Sequence, residues 1–422
     1  MKRSFISTAM LIMGIAVSAQ SLQTSDIADQ HQYEALGMSA NHRYITGLNA
    51  GTYRAFIWDT EAGTIIENDG DYANCDFRAI TNDGHAYGIL GSEDMVTTNA
   101  SIIDANGKVS ILEHDMSQVF DVTPDGSVAV GCLLDATWLP TAAVWRNGKR
   151  ILLPVPTPDE CGFQHDGANA QYISADGKVI AGYLQDWHSS RPGIVWRLQD
   201  DGSYKADVIS KGRWELNQGE GKPYLEFSPL GISPNGKWLC LAAQKEGPYN
   251  MPGREFMVRM NLETGEVIES GNPVTEMCDQ DNDNFYPTAI ADDGTCVGVI
   301  RTATNMLGII WRNGTSGPSL LSEEFPTIEQ FAGYDEYVGN PVAISADGAY
   351  IAGFGCPFTF TAGGLDYNFE SFLLYTGKAT GIADIKSIKL PSSAYNIQGQ
   401  AINPSAAKDI YIRNGRKYIG KH

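Results

Sequence analysis

The sequence lacks long helical patterns and long apolar stretches. No segment keeps an apolar period of about 3.6 residues, and after residue 20 no run approaches the roughly 20 apolar residues of a membrane-spanning helix. The seven cysteines are widely spaced and include no C-x-x-C pair, which argues against a zinc site and against a dense disulfide framework. These absences favour an all-β chain whose cysteines are small buried apolar residues.

Basic residues are also scarce. Lys and Arg total 30 against 50 Asp and Glu, which gives a formal net charge of -20. A chain of this charge repels phosphates, so we expect no nucleic-acid partner. The cations are concentrated from residue 378 onward, where six Lys and two Arg accompany only two Asp. The apolar content of 43% still allows a large core.

Familiar catalytic motifs are missing as well. The sequence contains no G-x-S-x-G and no H-E-x-x-H. His165 and His188, with Asp166 and Asp186 nearby in sequence, form one His/carboxylate grouping, and two unrelated surface histidines are the alternative. The sequence does not decide whether the chain is an enzyme, but it favours a non-catalytic role.

The first nineteen residues have the pattern of a signal peptide. Lys2 and Arg3 precede an apolar run, and Val17-Ser18-Ala19 forms a small-residue cleavage site. A membrane anchor is the alternative, but the apolar run is much shorter than the roughly 20 residues that a spanning helix needs. We expect residues 1–19 to be removed and the protein to be secreted or held at the cell surface.

A repeated unit occupies most of the remaining sequence. Most copies have a short run ending in Ile or Val plus Ser or Thr, then a turn at Asp-Gly or Asn-Gly, then an apolar run that ends near a Gly. The turn positions are His42, Gly84, Gly126, Gly177, Gly236, Gly294 and Gly348. Successive turns lie 42 to 59 residues apart, as expected for four-stranded units with elaborated loops. One such unit cannot bury its apolar surface alone, so the copies must stack.

This periodicity predicts an all-β fold, a seven-bladed β-propeller with four-stranded blades over residues 30–380, followed by a short β tail at 381–422. A Trp recurs in the third strand of several copies, where packing between blades requires a large side chain. These residues are Trp58, Trp145, Trp196 and Trp311. The last blade needs an outermost strand, which either 379–388 or 22–29 could supply.

The repeat motif resembles known families. I-S-x-D-G-x-x-I-x-G followed by an apolar pair and Trp resembles the HAF-type extracellular repeats, and Ser233-Pro234-Asn235-Gly236-Lys237 is similar to the repeats of TolB-type propellers. The resemblance extends from about Tyr33 to Gly377. It implies a propeller fold and says little about function, because such folds serve many roles.

The C-terminal segment resembles the sorting-type tails of Bacteroidales exported proteins. The similarity lies in two blocks, Tyr395-Asn396-Ile397-Gln398-Gly399-Gln400 and Ile410-Tyr411-Ile412-Arg413-Asn414-Gly415-Arg416-Lys417. It implies export to the cell surface or beyond. The alternative is an ordinary β-hairpin, and both interpretations place two strands around a turn.

Aromatic residues mark the long connections of the predicted ring. Connections from second to third strands and from blade to blade emerge at one end and are long, and function often resides in such loops. The candidate ligand-binding residues are Trp138, Trp187, His188, Trp214, Tyr249, Tyr286, Tyr334 and Tyr367. Aromatic faces beside carboxylates suit sugar rings or peptide side chains. The alternative is that they pack the loops against each other.

Asp279, Asp281 and Asp283 begin a D-x-D-x-D pattern that resembles the start of a calcium loop. The complete EF-hand pattern fails, because Asn284 and Ile290 replace the required Gly and Glu. A looser calcium site predicts a higher melting temperature in millimolar calcium, whereas a solvated acidic turn predicts no change. No other cofactor is expected.

The leading functional hypothesis is an exported, non-catalytic binding module that recognises a glycan or a protein segment on the long-loop face. One alternative is a glycan hydrolase or lyase that uses carboxylates on the same face. Another is a surface-assembly protein that docks other subunits. The sequence predicts neither the ligand nor the oligomeric state.

Overall fold

The computed structural model describes most of the chain. The described residues are 20–25, 32–70, 73–91, 97–114, 116–162, 164–185, 191–209, 226–246, 252–271, 283–302, 306–328, 339–355, 358–361, 364–367, 369–377, 394–396, 401–402, 410–413 and 416–419. The chain divides into two compact units, Met1–Lys378 and Ala379–His422.

The first unit consists of seven four-stranded antiparallel sheets. The strands before blade 4 are β1 (Ser21–Thr24); in blade 1, β2 (Tyr33–Met38), β3 (Tyr44–Asn49), β4 (Arg54–Asp59) and β5 (Thr64–Glu67); in blade 2, β6 (Ala73–Ile80), β7 (Ala86–Gly91), β8 (Thr98–Ile103) and β9 (Val109–Glu113); and in blade 3, β10 (Ser117–Val122), β11 (Val128–Leu134), β12 (Pro140–Arg146) and β13 (Lys149–Leu152).

Blades 4 to 7 continue the same order. Their strands are β14 (Gly167–Ile173), β15 (Val179–Gln185), β16 (Gly193–Leu198) and β17 (Tyr204–Val208) in blade 4; β18 (Glu226–Ile232), β19 (Trp238–Glu246), β20 (Pro252–Asn261) and β21 (Val267–Glu269) in blade 5; β22 (Asn284–Ile290), β23 (Cys296–Arg301), β24 (Met306–Trp311) and β25 (Ser319–Leu320) in blade 6; and β26 (Asn340–Ile344), β27 (Tyr350–Gly355) and β30 (Glu370–Tyr375) in blade 7. The predicted all-β, seven-bladed propeller is confirmed.

The remaining elements are small. A hairpin of β28 (Phe358–Thr361) and β29 (Gly364–Tyr367) lies between β27 and β30, and the helices α1 (Pro158–Cys161) and α2 (Leu321–Glu324) each have four residues. No helix in the described part of the chain is long enough to cross a membrane.

The second unit is a separate small sheet. Its strands are β31 (Ala394–Asn396), β32 (Ala401–Ile402), β33 (Ile410–Arg413) and β34 (Arg416–Ile419), in the order β32-β31-β33-β34.

The N-terminal segment closes the ring. β1 pairs with β30 as the outermost strand of blade 7, so the closing strand comes from the N-terminal of the two predicted segments. The Ser371 N–H donates to Ser25 Oγ at 3.0 Å, and the Ser371 hydroxyl donates to the Tyr33 carbonyl of blade 1 at 2.8 Å. The ring therefore includes residues 21–24, which precede the predicted start at residue 30.

Apolar clusters fill the interfaces between neighbouring blades. Each third-strand Trp belongs to a buried cluster that includes residues of the preceding blade: Trp58 with Leu373 of blade 7, Trp145 with Ala79 of blade 2, Trp196 with Val144 of blade 3, and Trp311 with Met257 of blade 5. All four indoles are at most 2% exposed, as the packing interpretation predicts. The core of the ring therefore lies between blades.

The first turn of six blades is held by one side-chain pattern, and blade 6 has Ala291 where the others have Ser or Thr. In blade 4 the Ser174 hydroxyl donates to Asp176 Oδ1 at 2.7 Å and accepts the Val179 N–H at 3.0 Å. Gly177 has φ 70°, the left-handed backbone that the Asp-Gly pair predicts. In blade 1 His42 takes this place with φ 53°, and its ring stacks on Tyr350 of blade 7 with the centroids 3.7 Å apart.

These turns also bond to one another around the ring. The backbone N–H at the second turn position donates to the matching carbonyl of the next blade, from Asn82 to Pro124, from Ala175 to Pro234 and from Asp292 to Ala346. Pro124 and Pro234 have no N–H to donate. After Pro234 the Asn235 N–H bonds to Asp292 Oδ1 at 2.8 Å, and beside Pro124 the Ile173 N–H bonds to Asp121 Oδ2 at 2.8 Å.

Every innermost strand contains a register shift at the same place. The residues at the shift are Leu36, Arg78, Phe120, Gln171, Leu230, Thr288 and Val342. Six blades have Gly in the second strand opposite the residue just before the shift, and blade 5 has Leu241. A β-carbon at Gly182 would lie 1.9 Å from the Asn169 carbonyl oxygen, so the backbones approach too closely for a side chain.

We expect Gly182→Ala to lower the free energy of unfolding by about 2 kcal/mol or more, because the added carbon meets backbone that cannot move alone. Gly51→Ala is the matched control: its β-carbon would meet only side-chain atoms of Gln32 and Asn49, at 3.2 and 3.3 Å. Urea unfolding should show the control within about 0.5 kcal/mol of the parent. Equal stability of both variants would contradict the close approach.

We expect Leu22→Asp to open the closing strand, because Leu22 packs on the cluster between blades 6 and 7. The loss should be about 2 kcal/mol, since the substitution places a charge against apolar side chains. Ser21→Asp, at an exposed position of the same strand, should change the melting temperature little. Equal melting temperatures for Leu22→Asp and Ser21→Asp would refute closure of the ring by β1.

Candidate functional site

The two ends of the ring differ. Turns between first and second strands, such as residues 174–178, emerge at one end, which we call the short-turn end. The described connections from second to third strands and from blade to blade, such as residues 135–139 and 153–162, emerge at the other, which we call the long-connection end. The topology therefore separates the short turns from the connection that carries Trp138.

Trp138 is an exposed aromatic residue at the long-connection end. Its side chain is 48% exposed and its backbone is left-handed, with φ 66°. Asp135 Oδ1 holds the turn by accepting the N–H and hydroxyl of Thr137, both at 2.7 Å, and the Leu139 N–H at 3.0 Å. The Thr137 hydroxyl in particular lowers the pKa of Asp135, so a fixed carboxylate lies in the same turn as the indole.

Tyr53 lies in the equivalent connection of blade 1. It is not among the predicted ligand-binding residues. It is 66% exposed with φ 58°. Glu67 lies beside this turn, because it accepts Asn49 Nδ2 at 2.6 Å and the hydroxyls of Tyr33 and Thr52 at 3.3 Å. Left-handed backbone at a bulky residue is strained and persists only where the surroundings enforce it.

The other predicted ligand-binding residues are placed unevenly. Trp187, His188, Trp214, Tyr249 and Tyr334 lie outside the described residues, and of Tyr367 only the backbone, in β29, is described. Of the predicted ligand-binding residues, Trp138 is therefore the one whose side chain is described at the long-connection end.

Tyr286 is placed differently, in the innermost strand of blade 6, where it lines a cavity on the ring axis. Burial, followed by its hydrogen bond to Glu255, raises the pKa of Tyr286 to about 12. Its hydroxyl therefore stays protonated at neutral pH.

The predicted calcium ligands are not assembled in the described structure. Asp279 and Asp281 lie outside the described residues, and Asp283 is buried at 5% exposure. Among the residues that the structure describes, no three His, Cys, Asp or Glu side chains come together as a metal site. Calcium binding by this loop stays a prediction.

The axial cavity lies toward the short-turn end and has a volume of about 510 Å³. All seven innermost strands line it, and each contributes the residue at its register shift. Because those seven backbones are equivalent, the chemistry of the cavity is decided by which side chains the seven positions carry.

Arg78 is the cation of this cavity. Its Nε and Nη2 donate to the two carboxylate oxygens of Asp76, both at 2.7 Å. The pKa of nearby Glu34 is raised, first by burial and then by the charge of Asp76. The guanidinium is therefore already paired, and the region has no excess of positive charge.

Asp121 and Tyr172 stand where the other blades have small residues. The position after the register shift is Gly37, Ala79, Gly231, Ala289 or Ala343 in those blades. Burial raises the pKa of Asp121 to about 7, although its oxygens accept the N–H groups of Val122 and Ile173, both at 2.8 Å. Burial also raises the pKa of the Tyr172 hydroxyl.

These cavity residues are not among the predicted ones, because the repeat pattern presents the first strand only as scaffold. A usable signal was present. Alignment of the seven turns places Asp121 and Tyr172 at a column otherwise occupied by Gly and Ala, and a departure from the repeat marks a residue that the fold alone does not require.

The strand order and the site define the class: a closed, seven-bladed β-propeller with an axial cavity. Similar solved structures include TolB from Acinetobacter baumannii, with 12% identity over 78% of this chain and 78% of that one and a TM-score of 0.40. The β-propeller domain of the Trilobed protease from Pyrococcus furiosus has 10% identity over 81% and 94%, with a TM-score of 0.48. Hydrazine synthase from Kuenenia stuttgartiensis has 15% identity over 81% and 97%, with a TM-score of 0.45.

These likenesses concern the fold and carry no information about a ligand. No family model and no curated protein sequence matches this chain.

The raised pKa of Asp121 predicts a pH-dependent contribution to stability. Its carboxyl pKa is about 7 in the folded chain against 3.8 for the free group, so the folded state holds the proton more tightly and Asp121 becomes less favourable as pH rises from 4 to 7. Asp121→Asn does not titrate. We expect the stability of the parent relative to this variant to fall by about 1 to 2 kcal/mol from pH 5 to pH 8, a figure reduced for the solvent in the cavity.

Asp135→Asn is the control for this measurement. The pKa of Asp135 is lowered, so its contribution is complete above pH 4 and should be constant between pH 5 and pH 8. Urea unfolding at both pH values gives the two differences. A constant difference for Asp121→Asn would show that Asp121 is ionised throughout this range.

Proposed function

We propose that this protein is an exported, non-catalytic binding module that holds an uncharged glycan on the long-connection end of the propeller. The observation that carries the proposal is the exposed indole of Trp138 in a strained and hydrogen-bonded turn. The third-strand tryptophans are all buried in the core, so Trp138 is exposed for a reason other than packing between blades.

The two turns supply the groups that sugars require. An exposed aromatic ring stacks on the apolar face of a pyranose, and a fixed carboxylate accepts its hydroxyl protons. Trp138 lies with Asp135 in one turn, and Tyr53 lies with Glu67 in another. Stacking on a ring whose backbone is already constrained costs little conformational entropy.

Charge favours an uncharged glycan over an acidic polymer. The net charge of -20 repels uronic acids and sulfated sugars at low ionic strength. A protein segment is the competing ligand, and it would need a basic surface to match the same carboxylates. The signal-peptide pattern of residues 1–19 and the sorting-like tail support export, which places the protein where extracellular glycans occur.

A glycan array probed with residues 20–422 tests the proposal. We expect binding to uncharged polysaccharide fragments. Trp138→Ala and Tyr53→Ala should each raise the dissociation constant by about tenfold, or about 1.4 kcal/mol. Leu152→Ala is the matched control, because Leu152 is 55% exposed but lies in the outermost strand of blade 3. Binding should be unchanged in this variant.

Two results would overturn the proposal. Silence across the array together with capture of basic peptides would favour a protein ligand. Shortened products in mass spectra of the bound glycan would instead indicate a hydrolase or lyase, which needs a second carboxylate about 5 to 10 Å from the first.

A further inference from the structure

The axial cavity is at the opposite end of the ring from Trp138, and the glycan proposal does not use it. The seven equivalent register shifts place seven side chains along the cavity. Two of these positions carry Arg78 and Gln171. The other five carry Leu36, Phe120, Leu230, Thr288 and Val342, so the fold tolerates apolar residues or Thr there. The position that follows is Gly or Ala in five blades. Polar groups at these positions are therefore not required for closing the ring.

Polar groups are gathered on one side of the cavity. Arg78, Asp121, Gln171 and Tyr172, which we call the polar arc, come from the consecutive blades 2, 3 and 4. Some of their hydrogen-bonding atoms are not used within the described protein. Arg78 bonds through Nε and Nη2, which leaves Nη1 available, and Gln171 donates to Asn169 Oδ1 at 2.8 Å, which leaves Oε1 available.

The facing side is apolar. Leu36, Leu230, Ala289, Val342 and Ala343, which we call the apolar arc, come from the remaining blades 5, 6, 7 and 1. Thr288 and Tyr286 of blade 6 lie among them. The Thr288 hydroxyl donates to the Pro341 carbonyl at 2.6 Å and the Tyr286 hydroxyl is hydrogen-bonded to Glu255, so both hydroxyls are used within the protein. The cavity thus presents hydrogen-bonding groups to one half of an occupant and hydrocarbon to the other.

The charges exclude a strongly charged occupant. Arg78 is paired with Asp76, so an anion would find no free positive charge and would face Asp76 and Glu34 nearby. Asp76 is already paired with Arg78, and Asp121 uses both oxygens to accept backbone N–H groups, so neither offers a cation a free carboxylate. An uncharged ligand meets neither penalty.

We propose that the axial cavity binds one uncharged amphiphilic small molecule, with a hydroxyl-rich head on the polar arc and an apolar body on the apolar arc. Its volume of about 510 Å³ is within the range of roughly 300 to 1,000 Å³ typical of small-molecule sites. The site is independent of the glycan surface proposed above, because it lies toward the other end of the ring.

The test uses n-octyl β-D-glucoside below its micelle concentration, titrated calorimetrically into residues 20–422. We expect saturable binding of one molecule per chain. Gln171→Leu should raise the dissociation constant by about tenfold, since one lost hydrogen bond to the bound ligand is worth about 1.4 kcal/mol. Leu occupies the same position in two other blades, as Leu36 and Leu230, so this variant is compatible with the fold.

Tyr172→Ala provides a second variant, again with a residue that the repeat uses at this position. It should weaken binding by a similar factor, whereas Trp138→Ala should leave it unchanged. Octyl sulfate keeps the tail and replaces the head by an anion, and we expect it to bind at least about tenfold more weakly.

Three results would overturn the proposal: no saturable binding to the parent, unaltered affinity in both Gln171→Leu and Tyr172→Ala, or octyl sulfate binding as tightly as the glucoside. None of these bears on the glycan array, because the array detects the long-connection end through Trp138 and Tyr53. Failure of one proposal is therefore distinguishable from failure of the other.

Discussion

Apolar contact between neighbouring blades is the interaction on which the structure depends. Each blade exposes apolar side chains on both faces, and a distinct cluster of buried residues fills each of the seven interfaces. A blade without neighbours would leave these faces in water, at a cost of about 25 cal/mol per Å². Closure of the ring by β1 is therefore part of the core, because it completes the last blade and joins it to the first through Ser371 and Tyr33.

A second constraint follows from closing seven sheets around one axis. The innermost strands bend at a common register shift, and the crowding that results excludes a side chain at Gly182 and at the equivalent glycines of five other blades. The same shifts place one residue of each blade along the cavity. A requirement of the backbone thus generates seven positions whose side chains are free to vary, and these positions determine what the cavity can hold.

The two ends of the ring combine polar and aromatic groups in different ways. At the long-connection end, Trp138 and Tyr53 are exposed in strained turns beside carboxylates that hydrogen bonds hold in place. In the cavity, burial shifts the pKa of Asp121 upward and the Arg78 charge is neutralised by Asp76. One end is suited to stacking on an extended ligand and the other to enclosing a small one.

The amino-acid pattern by itself determined the number of blades, the strand order and the role of the third-strand tryptophans, because local turn chemistry and alternating burial repeat with each copy. Even His42 follows this logic, since the left-handed turn in which it lies is set by its immediate neighbours. Tertiary structure alone decided which segment closes the ring and which side chains meet at its axis. Either terminal segment could have paired with β30, and Asp121 meets Ile173 from 52 residues away only because the ring brings blades 3 and 4 together. Such contacts depend on the relative placement of whole sheets, which no local pattern of residues encodes.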